Sequence, residues 1–368
     1  MSDDYLTTCV GIVDEGQPRK EEDAVEWVPP LTRFSLWYQG VHGYLSVALC
    51  LFGIASNLTN IVVLTRKSMA TPTNHLLTAL AIADALTMVS YLPYAVYFNC
   101  LAVPDETFKH PKGWIVYLLF NFNFTITTHT IAMWLTVALA VFRYIAVCHH
   151  TLGARLCNIR RAMLTITAVY VTTPIVCLPN YVKYRLIDRD EGGYWFERNA
   201  FVSEAYTAFN FWLFGVVLKV APCVLLTVLS ALLIQTMRRA DQKRRKLKSL
   251  GRKNESERAN EHCRTTAMLL AVVLCFVLAE LPQGVLAFLS GVDTTVFDQV
   301  YVPLGDIWDL LGLLNSAVNF VLYCTMSRQF RKTFRDVCLN RCLDSSKPLL
   351  KDTLTTKAGL SNCMQEIY

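Results

Sequence analysis

The sequence predicts an all-α membrane protein, a bundle of seven transmembrane helices followed by an amphipathic helix on the membrane surface. Its 368 residues are 53% hydrophobic and only 17% charged, with a mean hydropathy of +0.33, which is too apolar for a soluble domain of this size. Seven windows of roughly 20 or more mostly apolar residues are separated by polar segments. Alternating ten-residue segments, typical of a transmembrane β-barrel, do not occur.

Each window is long enough to cross the hydrocarbon core, which takes about 20 helical residues. The second helix has a clear beginning, because the hydroxyl of Thr71 can cap it and Pro72 suits its first position. The predicted spans are residues 44–65, 75–98, 114–148, 162–181, 208–237, 266–290 and 301–326.

The distribution of lysine and arginine predicts the orientation of the bundle. An odd number of spans places the two chain ends on opposite sides of the membrane. Four segments on one side hold 25 basic residues and the segments on the other side hold 9. The basic side is expected in the cytoplasm, so we expect a multi-pass plasma-membrane protein with its N-terminus outside. The basic run 237–253 is expected to contact lipid headgroups. Nucleic-acid binding is disfavoured, because it would require a soluble domain.

The chain divides into three predicted parts. Residues 1–39 form an acidic tail, expected to be disordered and extracellular. Residues 40–338 form the seven-helix domain with its surface helix, and residues 339–368 form a cytoplasmic regulatory tail. Cys9 and Cys100 are the cysteines expected outside, and one sequence leaves open whether they pair.

The predicted surface helix follows the seventh span. Phe330, Phe334 and Val337 recur at helical spacing, while arginine and lysine side chains cover the other face. Such a helix lies at a lipid surface, and Cys338 and Cys342 beside it are candidate acylation sites.

Polar side chains within the predicted spans are the candidate functional residues, because they are costly in a bilayer. Two interpretations stay open for each residue: it contacts a ligand, or it pairs with another helix. The residues are Asn57, Asp84, His129, Lys219, Glu280, Asn315 and Asn319, with Asp306 and Asp309 near the outer end of the seventh span.

Several motifs in this order resemble those of the rhodopsin-like G-protein-coupled receptors. The resemblance covers nearly all of the chain and implies a receptor that couples to a heterotrimeric G protein, with no cofactor or metal and no enzymatic activity. The motifs are Asn57 with IVVLTR, LAIAD ending at Asp84, FRYIAV around Arg143, Pro222, Phe276 with Pro282, and NFVLY from Asn319 to Tyr323.

A narrower resemblance is carried by four stretches: HTIAMWLTVALAVFRYIAVCH, LKVAPCVLLTVLS, ELPQG and LNSAVNFVLYCTMSRQF. They are similar to the invertebrate receptors for myosuppressins and FMRFamide-like peptides, which implies an amidated neuropeptide ligand and often an inhibitory G protein. A ligand of the sex-peptide or myoinhibitory type is an open alternative. An ion or solute transporter that uses Asp84, Lys219 and Glu280 as a relay is another.

The resemblance assigns roles at the cytoplasmic side. Arg143, Tyr144 and Tyr323 would contact or gate the G protein, and Phe276, Pro282 and Asn319 would take part in activation. Serine and threonine residues of the tail would be substrates of a receptor kinase and would recruit arrestin. A sodium site is implied in part, by Asp84, Asn315, Ser316 and Asn319.

The peptide-binding residues are predicted around the stretch LAELPQG. Glu280 stands two residues before Pro282, where most of the broad class has a tryptophan, and the same alignment places His129 and Lys219 beside it. An isolated buried carboxylate is costly, so these three side chains are expected to form a polar cluster at the floor of the pocket. Gln283 would bind a peptide amide terminus or a neighbouring helix.

An Arg-Phe-amide ligand would require a carboxylate near the mouth of the pocket, because a guanidinium that leaves water must be paired. Asp306 and Asp309, with Trp308 between them, are the candidates. The alternative is that both are solvated acids at a helix end.

Other ligand classes are disfavoured. A retinal receptor would require a lysine in the seventh span, which has none, and an amine receptor would have an aspartate where the third span has Thr125. An enzyme would require metal-ligand spacing, a phosphate-binding loop or a nucleophile motif, and the sequence has none of these.

Overall fold

A computed structural model of the chain describes residues 30–101, 110–189, 193–249, 253–292 and 294–339. Within this part, seven helices are long and apolar enough to cross a membrane, as predicted. They are α1 Pro30–Leu64, α2 Pro72–Tyr94 with a π-helical end Ala95–Leu101, α3 Lys112–Cys148, α4 Ile159–Tyr181, α5 (Glu204–Trp212, π-helical Leu213–Val220 and Ala221–Ser249), α6 Lys253–Val292 and α7 Gly305–Met326.

The first helix begins at Pro30, earlier than the predicted residue 44, so residues 30–39 are helical and do not belong to a tail. A hydropathy window does not register these residues because several are polar. Proline suits the first turn of a helix, where its missing N–H would have no partner. The remaining tail, residues 1–29, lies outside the described residues. The beginning of α2 agrees with the prediction, since the Asn74 backbone N–H donates to Thr71 Oγ1 at 3.1 Å.

A β-hairpin that the sequence analysis did not predict lies between α4 and α5. Strands β1 (Tyr184–Arg189) and β2 (Gly193–Arg198) are antiparallel, and Arg185 pairs with Glu197 across them. Trp195 and Phe196 are buried in a cluster with residues of α2, α3 and α7. We call this end of the bundle the hairpin end. A second unpredicted element, the short helix His150–Leu156, follows α3 at the opposite end.

The helices have apolar outer faces and polar inner positions. In α6, Leu278 is 75% exposed whereas Glu280, two residues on, is 2% exposed. The exposed side chains of α4 include Leu164, Ile175 and Leu178. This pattern is the one expected of a bundle whose outer surface meets lipid and whose interior holds the polar groups.

Proline explains the irregular middle of α5. Pro222 cannot donate a backbone hydrogen bond, and the preceding Leu213–Val220 segment widens into a π-helix. Lys219 lies in this widened segment. Pro282 lies inside α6 in the same way, without an N–H for the carbonyl of Leu278.

A helix α8 (Arg328–Phe334) follows α7, and Ser327 caps it by accepting from the Phe330 N–H at 3.1 Å. Phe330 is fully buried against Tyr323 and Phe320 of α7. The apolar face of α8 therefore packs in part on the bundle, and contact of α8 with a membrane surface stays a prediction. Cys338 lies in the π-helical segment Arg335–Leu339 after α8, and Cys342 lies outside the described residues.

Candidate ligand cavity and polar clusters

A cavity of ≈ 350 Å³ occupies the hairpin half of the bundle. It extends from Tyr184 of the hairpin and Phe297 after α6 to His129 and Glu280 in the interior. Its wall includes Asp309 of α7, and every spanning helix except α1 contributes side chains. A volume of this size is at the lower end of the range for small-ligand sites, so it suits one end of a larger molecule.

Glu280 joins three helices at the inner end of the cavity. His129 Nε2 of α3 lies 3.0 Å from Glu280 Oε1, and Lys219 Nζ of α5 lies 3.8 Å from Glu280 Oε2. The side chain of Glu280 is 3% exposed, while those of His129 and Lys219 are each 21% exposed. The structure thus brings the three predicted residues together, and we call them the Glu280 cluster.

The surroundings of the cluster hold it in place. Phe276, one turn before Glu280, stacks on the His129 ring with centroids 6.0 Å apart and an interplanar angle of 15°. Gly312 of α7 and Gly284 of α6 lie next to the cluster, since a Cβ at these positions would stand 4.0 Å from His129 Cε1 and from Lys219 Cγ, an ordinary van der Waals contact.

A second polar group lies on α7. Asp309 faces the cavity, and its Oδ2 accepts from the Tyr91 hydroxyl at 3.2 Å. Tyr91 Oη lies 3.2 Å from His42 Nε2, which is 3.9 Å from Asp306 Oδ1. We call Asp309, Tyr91, His42 and Asp306 the Asp309 chain.

The two predicted aspartates therefore differ in position. Asp309 lines the cavity, whereas Asp306 does not line it and faces His42 of α1. Binding of an incoming guanidinium by either carboxylate stays a prediction. Residues three apart on an α-helix differ by only about 60° around its axis, and Tyr91 and His42 connect the two carboxylates. Trp308 lines the cavity and is 9% exposed.

Gln283 also lines the cavity, from α6. Its Nε2 donates to Tyr301 Oη at 3.4 Å, a long hydrogen bond that a ligand group could replace. Of the two partners predicted for Gln283, a peptide amide terminus or a neighbouring helix, this contact corresponds to the second.

The inner polar network agrees with the interpretation of pairing between helices. Asn319 Nδ2 of α7 donates to Asp84 Oδ2 of α2 at 3.0 Å, and Asn57 Nδ2 of α1 donates to the Ser316 carbonyl at 3.0 Å. Both bonds satisfy buried groups of three helices. Asn315 is half-buried in α7, and sodium binding at this network stays a prediction.

The residues predicted to contact a G protein lie at the end opposite the hairpin. Arg143 and Tyr144 are half-buried near the end of α3. Tyr323 is 2% exposed and packs against Phe330 of α8. Among the described residues, no group of three or more histidine, cysteine, aspartate or glutamate side chains could hold a metal ion.

The sequence analysis missed several functional candidates. Tyr91 and His42 complete the Asp309 chain, and both are buried. A chain of buried asparagines, Asn123, Asn180 and Asn210, connects α3, α4 and α5. The cost of a polar group within an apolar span marks these asparagines as candidates in the same way as it marks the charged residues and the motif residues.

Comparisons with known proteins fit this architecture. A family model described as serpentine type seven-transmembrane G-protein-coupled chemoreceptor Srw matches residues 44–341. The G-protein coupled receptor dmsr-1 of Caenorhabditis elegans is 30% identical over 86% of this chain and 72% of its own length. The sex peptide receptor of Drosophila melanogaster is 32% identical, with 82% of this chain and 73% of that protein covered. The FMRFamide receptor of the same fly is 24% identical, with 90% and 58% covered. The chain therefore belongs to the serpentine seven-transmembrane G-protein-coupled receptors.

Proposed function

We propose that this receptor binds an amidated neuropeptide of the myosuppressin or FMRFamide-like type and signals through a heterotrimeric G protein of the inhibitory class. It would act at the plasma membrane, with the hairpin end and the N-terminus outside. The basic residues of the opposite end support this orientation, because positively charged segments are retained in the cytoplasm.

The observation that carries the proposal is the cavity at the hairpin end with the Glu280 cluster at its inner limit. The cavity is large enough for one end of a peptide and too small for a whole one. Relatives whose names state a peptide ligand, the sex peptide receptor and the FMRFamide receptor, support a ligand of this class.

Asp309 is the proposed partner of a peptide guanidinium. No lysine, arginine or histidine nitrogen of the described residues lies within 4.0 Å of it, and its known partner is the neutral Tyr91 hydroxyl. An arginine that enters the cavity would find a carboxylate that is accessible and lacks a close cation, which is the condition for a strong charge-assisted pair.

The Glu280 cluster is the proposed link between binding and signalling. It connects α3, α5 and α6 at the position of the two irregular helices, beside Pro282 and the π-helical segment of α5. A ligand that approaches Glu280 Oε2, which has no hydrogen-bond partner among the described residues, would change the pairing and bias the packing of α6. The cytoplasmic half of α6 would then move toward or away from Arg143.

The test is a signalling screen in cells that express the receptor. Amidated invertebrate peptides are applied, and cyclic nucleotide and calcium are measured with and without blockade of inhibitory G proteins. A response to an amidated Arg-Phe peptide at submicromolar concentration that disappears on blockade supports the proposal. Ion-coupled uptake without any G-protein signal, from a receptor detected at the cell surface, would favour a transporter.

A second ligand class is favoured by one observation. The sex peptide receptor has a higher identity to this chain, 32%, than the FMRFamide receptor, 24%. Sex-peptide and myoinhibitory-type peptides therefore belong in the same screen, and a response to them alone would assign the receptor to that class.

A further inference from the structure

The asparagine chain ends at the cavity with an acceptor that has no partner. Asn123 Nδ2 donates to the Leu119 carbonyl at 2.8 Å, Asn180 Nδ2 donates to Asn123 Oδ1 at 2.7 Å, and Asn210 Nδ2 donates to Asn180 Oδ1 at 3.3 Å. Asn210 Oδ1 then has no hydrogen-bond partner among the described residues.

The direction of this chain is set by the backbone. A carbonyl oxygen can only accept, so the Asn123 group that meets the Leu119 carbonyl must be its amide nitrogen. This orientation presents Asn123 Oδ1 to Asn180, and each following amide repeats the same arrangement. The last group of the series, Asn210, must therefore end in an oxygen and not in an N–H donor.

A second unpartnered oxygen lies beside the first. Thr207 precedes Asn210 by three residues, a spacing that places both side chains on one face of α5. Thr207 Oγ1 is buried and has no hydrogen-bond partner among the described residues. Both residues line the cavity, and Asn210 is 5% exposed.

Neither of these two shielded oxygens accepts a hydrogen bond from the described residues. A ligand donor that reaches such an acceptor forms a hydrogen bond without breaking one inside the protein. The site accordingly discriminates between ligands that carry an N–H at this point and ligands that do not.

We infer that Thr207 and Asn210 form the subsite for a terminal carboxamide of the ligand, with Asn210 Oδ1 and Thr207 Oγ1 each accepting from one of its two N–H groups. This inference rests on the proposed function, since it names the chemical group that an amidated peptide would bring to the cavity. A carboxamide offers both donors and an acceptor, whereas a terminal carboxylate is acceptor-only and faces Asn210 Oδ1 with like polarity.

Gln283 is the competing candidate for the same group. Its Nε2 already donates to Tyr301 Oη, and it lies on α6. Asn210 and Thr207 are the better candidates, because their side-chain oxygens are buried and have no hydrogen-bond partner in the described part of the chain, whereas Gln283 Nε2 has one. The two assignments differ in which helix determines the preference for an amide.

The experiment compares two small ligands on purified full-length receptor. Arg-Phe-amide and Arg-Phe free acid are titrated, and the ratio of their dissociation constants is obtained from the ligand-dependent rise of the thermal unfolding temperature. The variants are Asn210→Leu and Thr207→Val, with Gln283→Leu to test the competing assignment on the other wall. Thr207→Val keeps the shape of the side chain and decides the test if Asn210→Leu does not fold.

We expect wild type and Gln283→Leu to prefer the amide by about tenfold or more, and the α5 variants to lose most of this preference. The affinity for the free acid should change little. An unchanged preference in Thr207→Val and Asn210→Leu, an equal loss in Gln283→Leu, or no amide preference in wild type would each overturn the inference. Failure of the proposed function is separate, since it appears in cells as absent G-protein signalling and does not enter this binding ratio.

Discussion

Two carboxylates line the cavity, Glu280 on α6 and Asp309 on α7, and they differ in the side chains that contact them. Glu280 is buried, and its carboxylate lies within 4.0 Å of the His129 imidazole and the Lys219 ammonium group. Asp309 faces the cavity and contacts a neutral tyrosine hydroxyl. The same chemical group is thus internally paired at one position and open to an external partner at the other.

This difference separates a conformational role from a binding role. Charges that are paired inside a bundle stabilise a particular helix arrangement. Removal of one charged group leaves its partners buried without a counter-charge. A carboxylate without a close cation adds little to the stability of the bundle and has most to gain from a ligand. We therefore expect stability to depend on Glu280 and affinity to depend on Asp309, and four variants test that division.

The largest effect is expected from Glu280→Gln. Loss of the anion leaves His129 and Lys219 facing each other, which should lower the free energy of unfolding by about 3 kcal/mol, the lower end of the range for a broken buried pair. The lower end applies because the side chains of His129 and Lys219 are each 21% exposed. Thermal unfolding of purified receptor measures the change. Binding, signalling and stability all equal to wild type would remove the cluster from the mechanism.

The next effect concerns Asp309→Asn, which should shift the dose curve of an arginine-containing peptide to higher concentration by about 10- to 100-fold, because the desolvated guanidinium loses its carboxylate. Stability should be unchanged. Asp298→Asn, an exposed acid after α6, is the matched control and should have no effect on potency.

A citrulline-containing peptide sharpens this prediction. Citrulline is neutral, so wild type and Asp309→Asn should respond to it with similar potency. An equal shift of both peptides in Asp309→Asn would mean that the aspartate does not bind the guanidinium.

A smaller effect is expected from Tyr91→Phe. The hydroxyl orients Asp309 Oδ2 and links it to His42, so its loss should weaken peptide binding by about 3- to 10-fold, the value of one hydrogen bond. Radioligand competition measures the change, and Tyr44→Phe, an exposed tyrosine of α1, is the control. A shift as large as that of Asp309→Asn would indicate that Tyr91 itself contacts the peptide.

The smallest effect is expected from Glu197→Gln in the hairpin. Glu197 also forms an ion pair, with Arg185, but both side chains are about half exposed. An exposed pair contributes about 0 to 1 kcal/mol, so the unfolding temperature should stay close to that of wild type. A loss comparable to that of Glu280→Gln would show that burial does not explain the difference between the two pairs.

Most of the bundle could be predicted from the sequence because span length and capping are local properties. The apolar windows and the Thr71–Pro72 beginning of α2 correspond to helices in the structure. The start of α1 at Pro30 and the hairpin Tyr184–Arg198 could not be predicted, since polar residues in a helix and strands of six residues have weak local patterns. The convergence of Glu280, His129 and Lys219 was predicted only through the resemblance to receptors.

The sequence by itself determined that the protein lies in a membrane, how many spans it has and which few polar residues they contain. Hydropathy and charge can be read from local stretches of the chain. Only the tertiary structure decided which of these residues meet. Asp306 and Asp309 are three positions apart, yet one faces His42 and the other the cavity. Asn210 ends a hydrogen-bond chain that begins on another helix. Such contacts depend on the rotation and packing of helices, which are set by the whole interface and not by any local stretch.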